Sequence, residues 1–149
     1  MPPFKRPESV LVLIFTTQGE VLLLRRSDHP AFWQSVTGSL EWYEDDLWAV
    51  AKRELAEETG IVAEHGWRDW ETSHQYEIYP EWRYKYEPGT TRNTEHIFSL
   101  ELDARVPVVL QPREHEEYEW VAWPAAVSRV TSASNRWALA TLGRARGFL

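Results

Sequence analysis

Acidic side chains are concentrated in residues 41–61, EWYEDDLWAVAKRELAEETGI, in a stretch with the composition of a helix. Glu54, Glu57 and Glu58 fall on one helical face, because an α-helix turns by about 100° per residue. Carboxylates placed this close together repel one another and favour a compensating positive charge. Mg²⁺ binds carboxylate oxygens and keeps positions for water and phosphate oxygens, so this face is a candidate magnesium site.

The alternative for these acids is a solvated surface, which is common on helices. The apolar residues Leu47, Ala51 and Leu55 recur at four-residue spacing and should face the core. Glu54 and Glu58 lie beside this stripe rather than opposite it. Acids at a core boundary lose hydration, so the metal site is the preferred interpretation.

Two helices are predicted in the chain. The acidic helix covers residues 45–59, with Asp45 or Asp46 near its start, since these side chains accept hydrogen bonds from free amides at a helix N-terminus. The second helix covers residues 134–146, with Ser134 as its N-cap.

Strands are predicted where β-branched, leucine or aromatic residues alternate or cluster. These segments are 9–15, 20–26, 74–79, 81–86, 94–102 and 117–123. Strands that alternate irregularly with two helices predict an α/β fold, with a mixed β-sheet sandwiched between helices. No repeat or linker divides the chain, so we expect one domain over residues 1–149.

The composition excludes several classes of site and partner. The chain has no cysteine, so a metal would need oxygen or imidazole ligands. The formal net charge of −7 argues against nucleic acid as a partner, although residues 82–86 interleave aromatic and basic side chains. No apolar run has the roughly 20 residues that cross a bilayer. The start, MPPFKRPESV, lacks the apolar region of a signal peptide, so we expect a cytoplasmic protein with a small-molecule ligand.

Residues 38–61 resemble the Nudix box: glycine, a spaced glutamate, then Arg-Glu-aliphatic-any-Glu-Glu-any-Gly-aliphatic. The matching residues of the second half are Arg53, Glu54, Leu55, Glu57, Glu58, Gly60 and Ile61. The resemblance implies that Glu54 and Glu58 are metal ligands and that Glu57 is a further ligand or a base toward water. It also implies Mg²⁺ as the cofactor, with Mn²⁺ as a substitute, and Arg53, Glu57 and Glu114 as catalytic candidates.

The box contains one extra residue before the helix. Counting from Gly38 places the spaced acid at Glu44, whereas counting back from Arg53 places it at Asp45. A helix cannot absorb an insertion without rotating the residues beyond it, so we predict that residues 40–44 bulge outward and that Asp45 takes the role. The alternative is that Glu44 keeps it.

Segments outside the box narrow the resemblance to the dihydroneopterin triphosphate pyrophosphatases. They are KRP at 5–7, RRSDHPAFWQSVTGS at 25–39, RYKYEPGTTRNTE at 83–95 and SNR at 134–136. The resemblance implies hydrolysis of a small triphosphate to a monophosphate and pyrophosphate, in folate synthesis. The alternatives are a housecleaning hydrolase of deoxynucleoside triphosphates and a module that senses a nucleotide without cleaving it.

The same resemblance implies further contacts at the phosphate end. Glu114 would complete the metal site from outside the helix, with Glu117 in reserve. Lys5 and Arg25 would bind phosphates. Neighbouring strand residues point to opposite faces, so only one of Arg25 and Arg26 should reach the ligand, and we choose Arg25. The alternative for both arginines is a surface role that covers apolar area.

Further candidate contacts to the substrate come from three short segments. Thr37 precedes Gly38 and offers a hydroxyl group, and Ser134 marks a helix start where amides can face an anion. The resemblance implies that the segment YEIY lines the substrate pocket; its residues are Tyr76, Glu77, Ile78 and Tyr79. Trp33 is assigned to the core, and the histidines, which lack metal-ligand spacing, to ordinary polar roles.

Overall fold

Helices pack on both faces of a mixed seven-stranded β-sheet in the computed structural model, which describes residues 3–148. The strands are β1 (Glu8–Thr16), β2 (Glu20–Arg26), β3 (Trp33–Gln34), β4 (Val36–Ser39), β5 (Trp67–Glu77), β6 (Arg92–Leu102) and β7 (His115–Ala122). The helices are α1 (Leu47–Thr59), α2 (Trp123–Arg129) and α3 (Ala133–Arg146), with a 3₁₀ helix at Pro80–Lys85. Within residues 3–148, no helix combines the length and apolarity needed to span a membrane.

Strand β1 is the centre of the sheet. It pairs with β6 in parallel along its whole length, which occupies one of its two edges. The other edge is shared, because β4 pairs with residues Ser9–Val12 and β2 pairs only at Phe15. Strand β7 extends the sheet beyond β2, β3 pairs with Leu24 and Arg25 on the other edge of β2, and β5 extends the sheet beyond β6. The predicted α/β class with a mixed sheet is confirmed.

Two apolar cores cover the two faces of β1. Val10, Val12 and Ile14 pack on the side of α1, while Leu11, Leu13 and Phe15 pack on the side of α2 and α3. Alternate residues of a strand point to opposite faces, so a strand buried on both faces is apolar at every position. This explains why residues 10–15 form a continuous apolar run rather than an alternating one.

Helix α1 begins one residue after Asp46, whose carboxylate accepts a hydrogen bond from the Ala49 amide at 3.3 Å. It ends at Gly60, whose φ of 73° is left-handed backbone that glycine adopts without strain. Its buried residues are Val50, Ala51, Glu54, Leu55, Glu58 and Thr59. Two glutamates therefore lie on the buried face of this helix, next to the apolar stripe.

The extra residue before α1 leaves Glu44, not Asp45, bonded to Arg53. The Glu44 carboxylate accepts hydrogen bonds from Arg53 Nη2 at 2.6 Å and Nε at 3.0 Å, and from the Glu41 amide at 2.7 Å. The loop does bulge outward, since the Tyr43 side chain is 79% exposed. The Asp45 prediction is wrong because a turn from Glu41 to Glu44 folds the glutamate inward, while Asp46 caps the helix.

Three further expectations about local structure are corrected. Residues 81–86 belong mainly to the 3₁₀ helix rather than a strand, since Pro80 fits the first turn of a helix and cannot donate to a ladder. Pro124 lies in the first turn of α2 in the same way, and the sequence patterns do not predict that helix. The N-cap of α3 is Ser132 rather than Ser134, because the Ser132 hydroxyl accepts from the Asn135 amide at 3.1 Å.

Substituting Glu44→Gln should lower the free energy of unfolding by about 1–2 kcal/mol, because a two-point charge-assisted contact with Arg53 is lost. Asp45→Asn is the matched control and should change it by less than about 0.5 kcal/mol. Urea denaturation of both variants at neutral pH makes the comparison. A larger loss in Asp45→Asn than in Glu44→Gln would contradict this assignment.

Candidate active site

One cavity of about 640 Å³ gathers side chains from both ends of the chain, from β4, α1, β5 and β6, and from the turn before β7. The predicted site residues that line it are Lys5, Thr37, Gly38, Arg53, Glu54, Glu57, Glu58, Tyr76, Glu77, Ile78, Tyr79, Glu114 and Ser134. Residues that lie far apart in the sequence therefore share one space. Of the predicted set, only Arg25 is absent from its lining.

Arg53 links the acidic residues of α1 to the preceding loop. Besides Glu44, its guanidinium donates to Glu54 Oε1 at 3.0 Å and to Glu57 Oε2 at 3.1 Å. Glu54 is only 7% exposed, whereas the Glu57 side chain is 53% exposed. Arg53 thus holds two glutamates of the box in place and leaves Glu57 the more accessible of the two.

Burial raises the pKa of Glu54 to about 7, and the negative charges of Glu57 and Glu58 add to this effect, which Arg53 only partly offsets. A divalent cation would offset both the burial of the Glu54 charge and its repulsion by Glu57 and Glu58. The carboxyl group also lies in a space that only glycine leaves open, since a Cβ on Gly38 would come within 2.0 Å of Glu54 Cδ. These two observations fit a metal ion at the buried acidic face.

The carboxylates are turned toward protein partners rather than toward one another. Glu54 and Glu57 face Arg53, and Glu58 Oε2 lies 2.8 Å from His115 Nδ1. Among residues 3–148, no three acidic or histidine side chains already surround a common point. Glu114 is exposed in the turn before β7, on the wall of the same cavity.

His115 was assigned an ordinary polar role from the sequence, and the structure corrects this. It is 2% exposed, and its Nε2 lies 2.9 Å from the Gln34 side-chain nitrogen. That amide nitrogen can only donate, so Nε2 accepts and Nδ1–H donates to Glu58. Such a bond fixes the orientation of Glu58. Sequence spacing could not reveal the buried contact between Gln34 and His115, because these residues come from β3 and β7, which meet only through their pairing with β2.

The prediction that Arg25 rather than Arg26 reaches the ligand site is wrong. Arg26 is in the cavity lining and Arg25 is not, and the register of β2 against β7 shifts between these two residues. Arg25 forms ion pairs with Glu116 at 3.3 Å and Glu117 at 2.9 Å. The reason is cross-strand pairing, since β2 places Arg25 directly opposite Glu117 on β7. The reserve ligand Glu117 is therefore held away from the cavity.

Cationic side chains stand at the mouth of the cavity. Lys5 remains accessible to solvent, but crowding by surrounding atoms, followed by the charge of Lys85, lowers the pKa of its ammonium group. Lys85 and Arg26 line the same cavity, and the Lys5 amide donates to the Lys85 carbonyl at 2.9 Å. Asp28 partly balances this charge, since Arg26 donates to its two carboxylate oxygens at 2.8 Å each and Lys85 Nζ lies 3.9 Å from it. A bound polyanion would therefore meet three cationic side chains, two of which already face a carboxylate.

An aromatic cluster forms another wall of the cavity. Phe32, Tyr79 and Trp82 pack edge to face, with ring centroids 5.3–5.7 Å apart. The Arg26 guanidinium lies 4.3 Å from the centre of the Trp82 ring. The sequence interpretation found Tyr79 but missed Phe32 and Trp82. Trp33 packs against the second core instead, with Arg129 over its ring at 4.4 Å.

Comparison with known proteins gives consistent results over nearly the whole chain. The dihydroneopterin triphosphate diphosphatase of Escherichia coli K12 is 44% identical over 140 residues, covering 91% of each chain. The Haemophilus influenzae enzyme of the same name is 39% identical over 143 residues, covering 91% of this chain and 86% of its own. The solved structure of the E. coli dihydroneopterin triphosphate pyrophosphohydrolase superposes with a TM-score of 0.87 at 40% identity, covering 94% of this chain and 97% of the other.

The acidic face of α1, the glycine that makes room for Glu54 and the arginine that holds two carboxylates are all part of residues 5–140, which match the model of the NUDIX domain. Two relatives above 30% identity each cover 91% of this chain. This chain therefore belongs to the NUDIX domain family.

Proposed function

We propose that this protein is a Mg²⁺-dependent pyrophosphohydrolase that converts dihydroneopterin triphosphate to the monophosphate and pyrophosphate. The observation that carries the proposal is one cavity that joins buried carboxylates, a cationic mouth and an aromatic wall. A substrate with a triphosphate at one end and a flat ring at the other matches these three parts of the cavity wall. The names of the relatives at 39–44% identity support the same substrate.

The metal ion would be held by carboxylates of α1 and of the turn before β7. The proposed ligands are Glu54, Glu58 and Glu114, with Glu57 either a further ligand or the base toward water. Mg²⁺, or Mn²⁺ in its place, would neutralise phosphate oxygens and lower the pKa of the attacking water. Arg53 and His115 are positioning residues here, because each bonds to a carboxylate of the ligand set.

Side chains of this protein can accept the proton of the attacking water and neutralise the charge of the leaving group. Water attacks phosphorus, a P–O bond between two phosphoryl groups breaks, and its electron pair leaves with pyrophosphate. Glu57 is exposed enough to reach the water and accept its proton. Lys5 and Arg26 can neutralise the leaving phosphates. The complete acidic set argues against a module that only senses its ligand, since binding alone would not need a base.

The substrate assignment predicts a clear preference in a panel of triphosphates. Dihydroneopterin triphosphate should be cleaved with a kcat/KM at least about 10-fold above that of any canonical deoxynucleoside triphosphate, since ring contacts add to shared phosphate contacts. Pyrophosphate release measured with saturating Mg²⁺ makes the comparison. Faster cleavage of several deoxynucleoside triphosphates would favour the housecleaning alternative.

Glu58→Gln should reduce kcat at least about 100-fold at saturating Mg²⁺, because a neutral amide replaces a ligand charge. The metal-free variant should melt at the same temperature as the wild-type protein or higher, since repulsion with Glu54 falls. Glu119→Gln on β7 is the control and should keep both properties, because Glu119 pairs with Arg129 on the surface. Near-normal turnover of Glu58→Gln would exclude Glu58 as an essential ligand.

Gly38→Ala should raise the Mg²⁺ concentration for half-maximal activity by about 10-fold or more, because the new Cβ displaces the Glu54 carboxyl. The helix itself should persist, since the side chain of Glu54 can turn away. Activity titrated against Mg²⁺, with circular dichroism as the check of folding, tests this. An unchanged Mg²⁺ titration would show that the position of Glu54 does not govern metal binding.

A further inference from the structure

Two buried oxygens in the cavity wall have no hydrogen-bond partner among residues 3–148: Glu95 Oε1 and Asn93 Oδ1. Glu95 is 5% exposed and Asn93 is 1% exposed. A buried polar atom without a partner costs free energy, so its presence needs an explanation. Neither residue belongs to the predicted acidic cluster or to the substrate-binding set inferred from the sequence.

Both residues come from β6 and point to the same side of the sheet, because they are two positions apart. The Asn93 amide nitrogen donates to Ser9 Oγ at 2.7 Å and to Tyr76 Oη at 3.1 Å, so its donors are used and its oxygen remains. This region of the wall therefore offers hydrogen-bond acceptors.

No cation explains the carboxyl group of Glu95. Its cross-strand neighbour His74 packs edge to face against Trp137, with ring centroids 4.3 Å apart, and does not bond to Glu95. Burial raises the pKa of Glu95 to about 7, and the Ser134 hydroxyl offsets only part of this effect. A buried acid without an ionic partner is stabilised when a ligand supplies N–H donors.

The position separates this group from the metal site. Glu54 lies against Gly38 on β4, and β1 lies between β4 and β6. Two strand spacings amount to about 10 Å, too far for one ion to bridge. The neighbours of Glu95 and Asn93 on the cavity wall include Leu11 and Tyr76, which suit a flat ring rather than a hydrated cation.

We propose that Glu95, assisted by Asn93, is the specificity-determining residue that binds the N–H and amino groups of a 2-amino-4-oxopyrimidine ring. In this ring, which pterins and guanine share, a ring N–H and an exocyclic NH₂ lie side by side. Two parallel donors match the two oxygens of one carboxylate. The inference rests on the proposed function, because it assigns the ring end of the same substrate.

The proposal separates ring classes by their hydrogen-bonding edges. Adenine and cytosine have a ring-nitrogen acceptor where pterin has the N–H. A hydrogen-bond acceptor of the ring would then face an acceptor oxygen of the carboxylate, and no hydrogen bond could form. Lumazine has a carbonyl in place of the 2-amino group and a hydrogen on N1, so an acceptor replaces the donor that lies beside N3–H in pterin. A site built to bind a donor rejects an analogue without it, because its own polar groups stay unpaired.

Binding of pterin and of lumazine to the wild-type, metal-free protein tests the proposal without any turnover. Pterin should bind about 10- to 100-fold more tightly, as expected for hydrogen bonds to a charged group. Calorimetry or quenching of tryptophan fluorescence measures both affinities. Equal affinities would overturn the proposal, and this comparison needs no variant to fold.

The Glu95→Gln variant tests whether Glu95 is responsible for the preference for pterin over lumazine. The pterin-to-lumazine ratio should fall toward one, and kcat/KM for dihydroneopterin triphosphate should fall by about 100-fold, mainly through KM. Glu101→Gln is the matched control on the same strand, because Glu101 pairs with Arg146 outside the cavity. It should keep the ratio and the activity. A folded Glu95→Gln protein that keeps the wild-type ratio would overturn the assignment.

Failure of this inference can be distinguished from failure of the proposed function. A wild-type protein that cleaves dihydroneopterin triphosphate but binds lumazine as well as pterin remains a pyrophosphohydrolase without the proposed ring contact. A protein that prefers pterin but releases no pyrophosphate keeps the ring contact and loses the proposed reaction.

Discussion

Repulsion among the carboxylates on the inner face of α1 is the constraint on which the site depends. Glu54 and Glu58 are buried, so water cannot screen their charges. The surrounding chain compensates in three ways: Arg53 donates to Glu54, His115 donates to Glu58, and Gly38 leaves room for a carboxyl group. None of these replaces a divalent cation, since the pKa of Glu54 stays near 7. The fold therefore maintains a site that is more stable when positive charge is added.

The topology of the sheet determines what lies beside this acidic face. Because β6 occupies one edge of β1, strands β4 and β2 must share the other edge. The glycine that admits Glu54 and the strand that carries Glu95 are thus placed on opposite edges of β1. One cavity can then contact both ends of an elongated ligand, while the parallel pairing of β1 with β6 keeps their separation constant.

Charge is distributed along the cavity in a way that suits a ligand with unlike ends. Carboxylates lie at the end formed by α1, cations stand at the mouth, and hydrogen-bond acceptors lie on β6. A triphosphate alone would be attracted to Lys5 and Arg26 but would need a cation near the glutamates. A ring rich in N–H groups would satisfy the acceptors on β6. Affinity from phosphates and selectivity from the ring can therefore come from separate parts of the wall.

Features that depend on short-range patterns could be predicted from the sequence: the box residues 53–61, the acidic helix, strands β1, β2 and β6, and the α/β class. Helical periodicity and strand propensity are local, so both can be recognised in a few residues. The choice between neighbouring residues could not be predicted: the folded chain has Arg26 rather than Arg25 in the cavity lining and Glu44 rather than Asp45 bonded to Arg53. The tertiary structure also brings His115 next to Glu58 and leaves buried oxygens of Asn93 and Glu95 without a hydrogen-bond partner among residues 3–148. These depend on strand register, turn geometry and contacts between residues far apart in the chain, which no local pattern records.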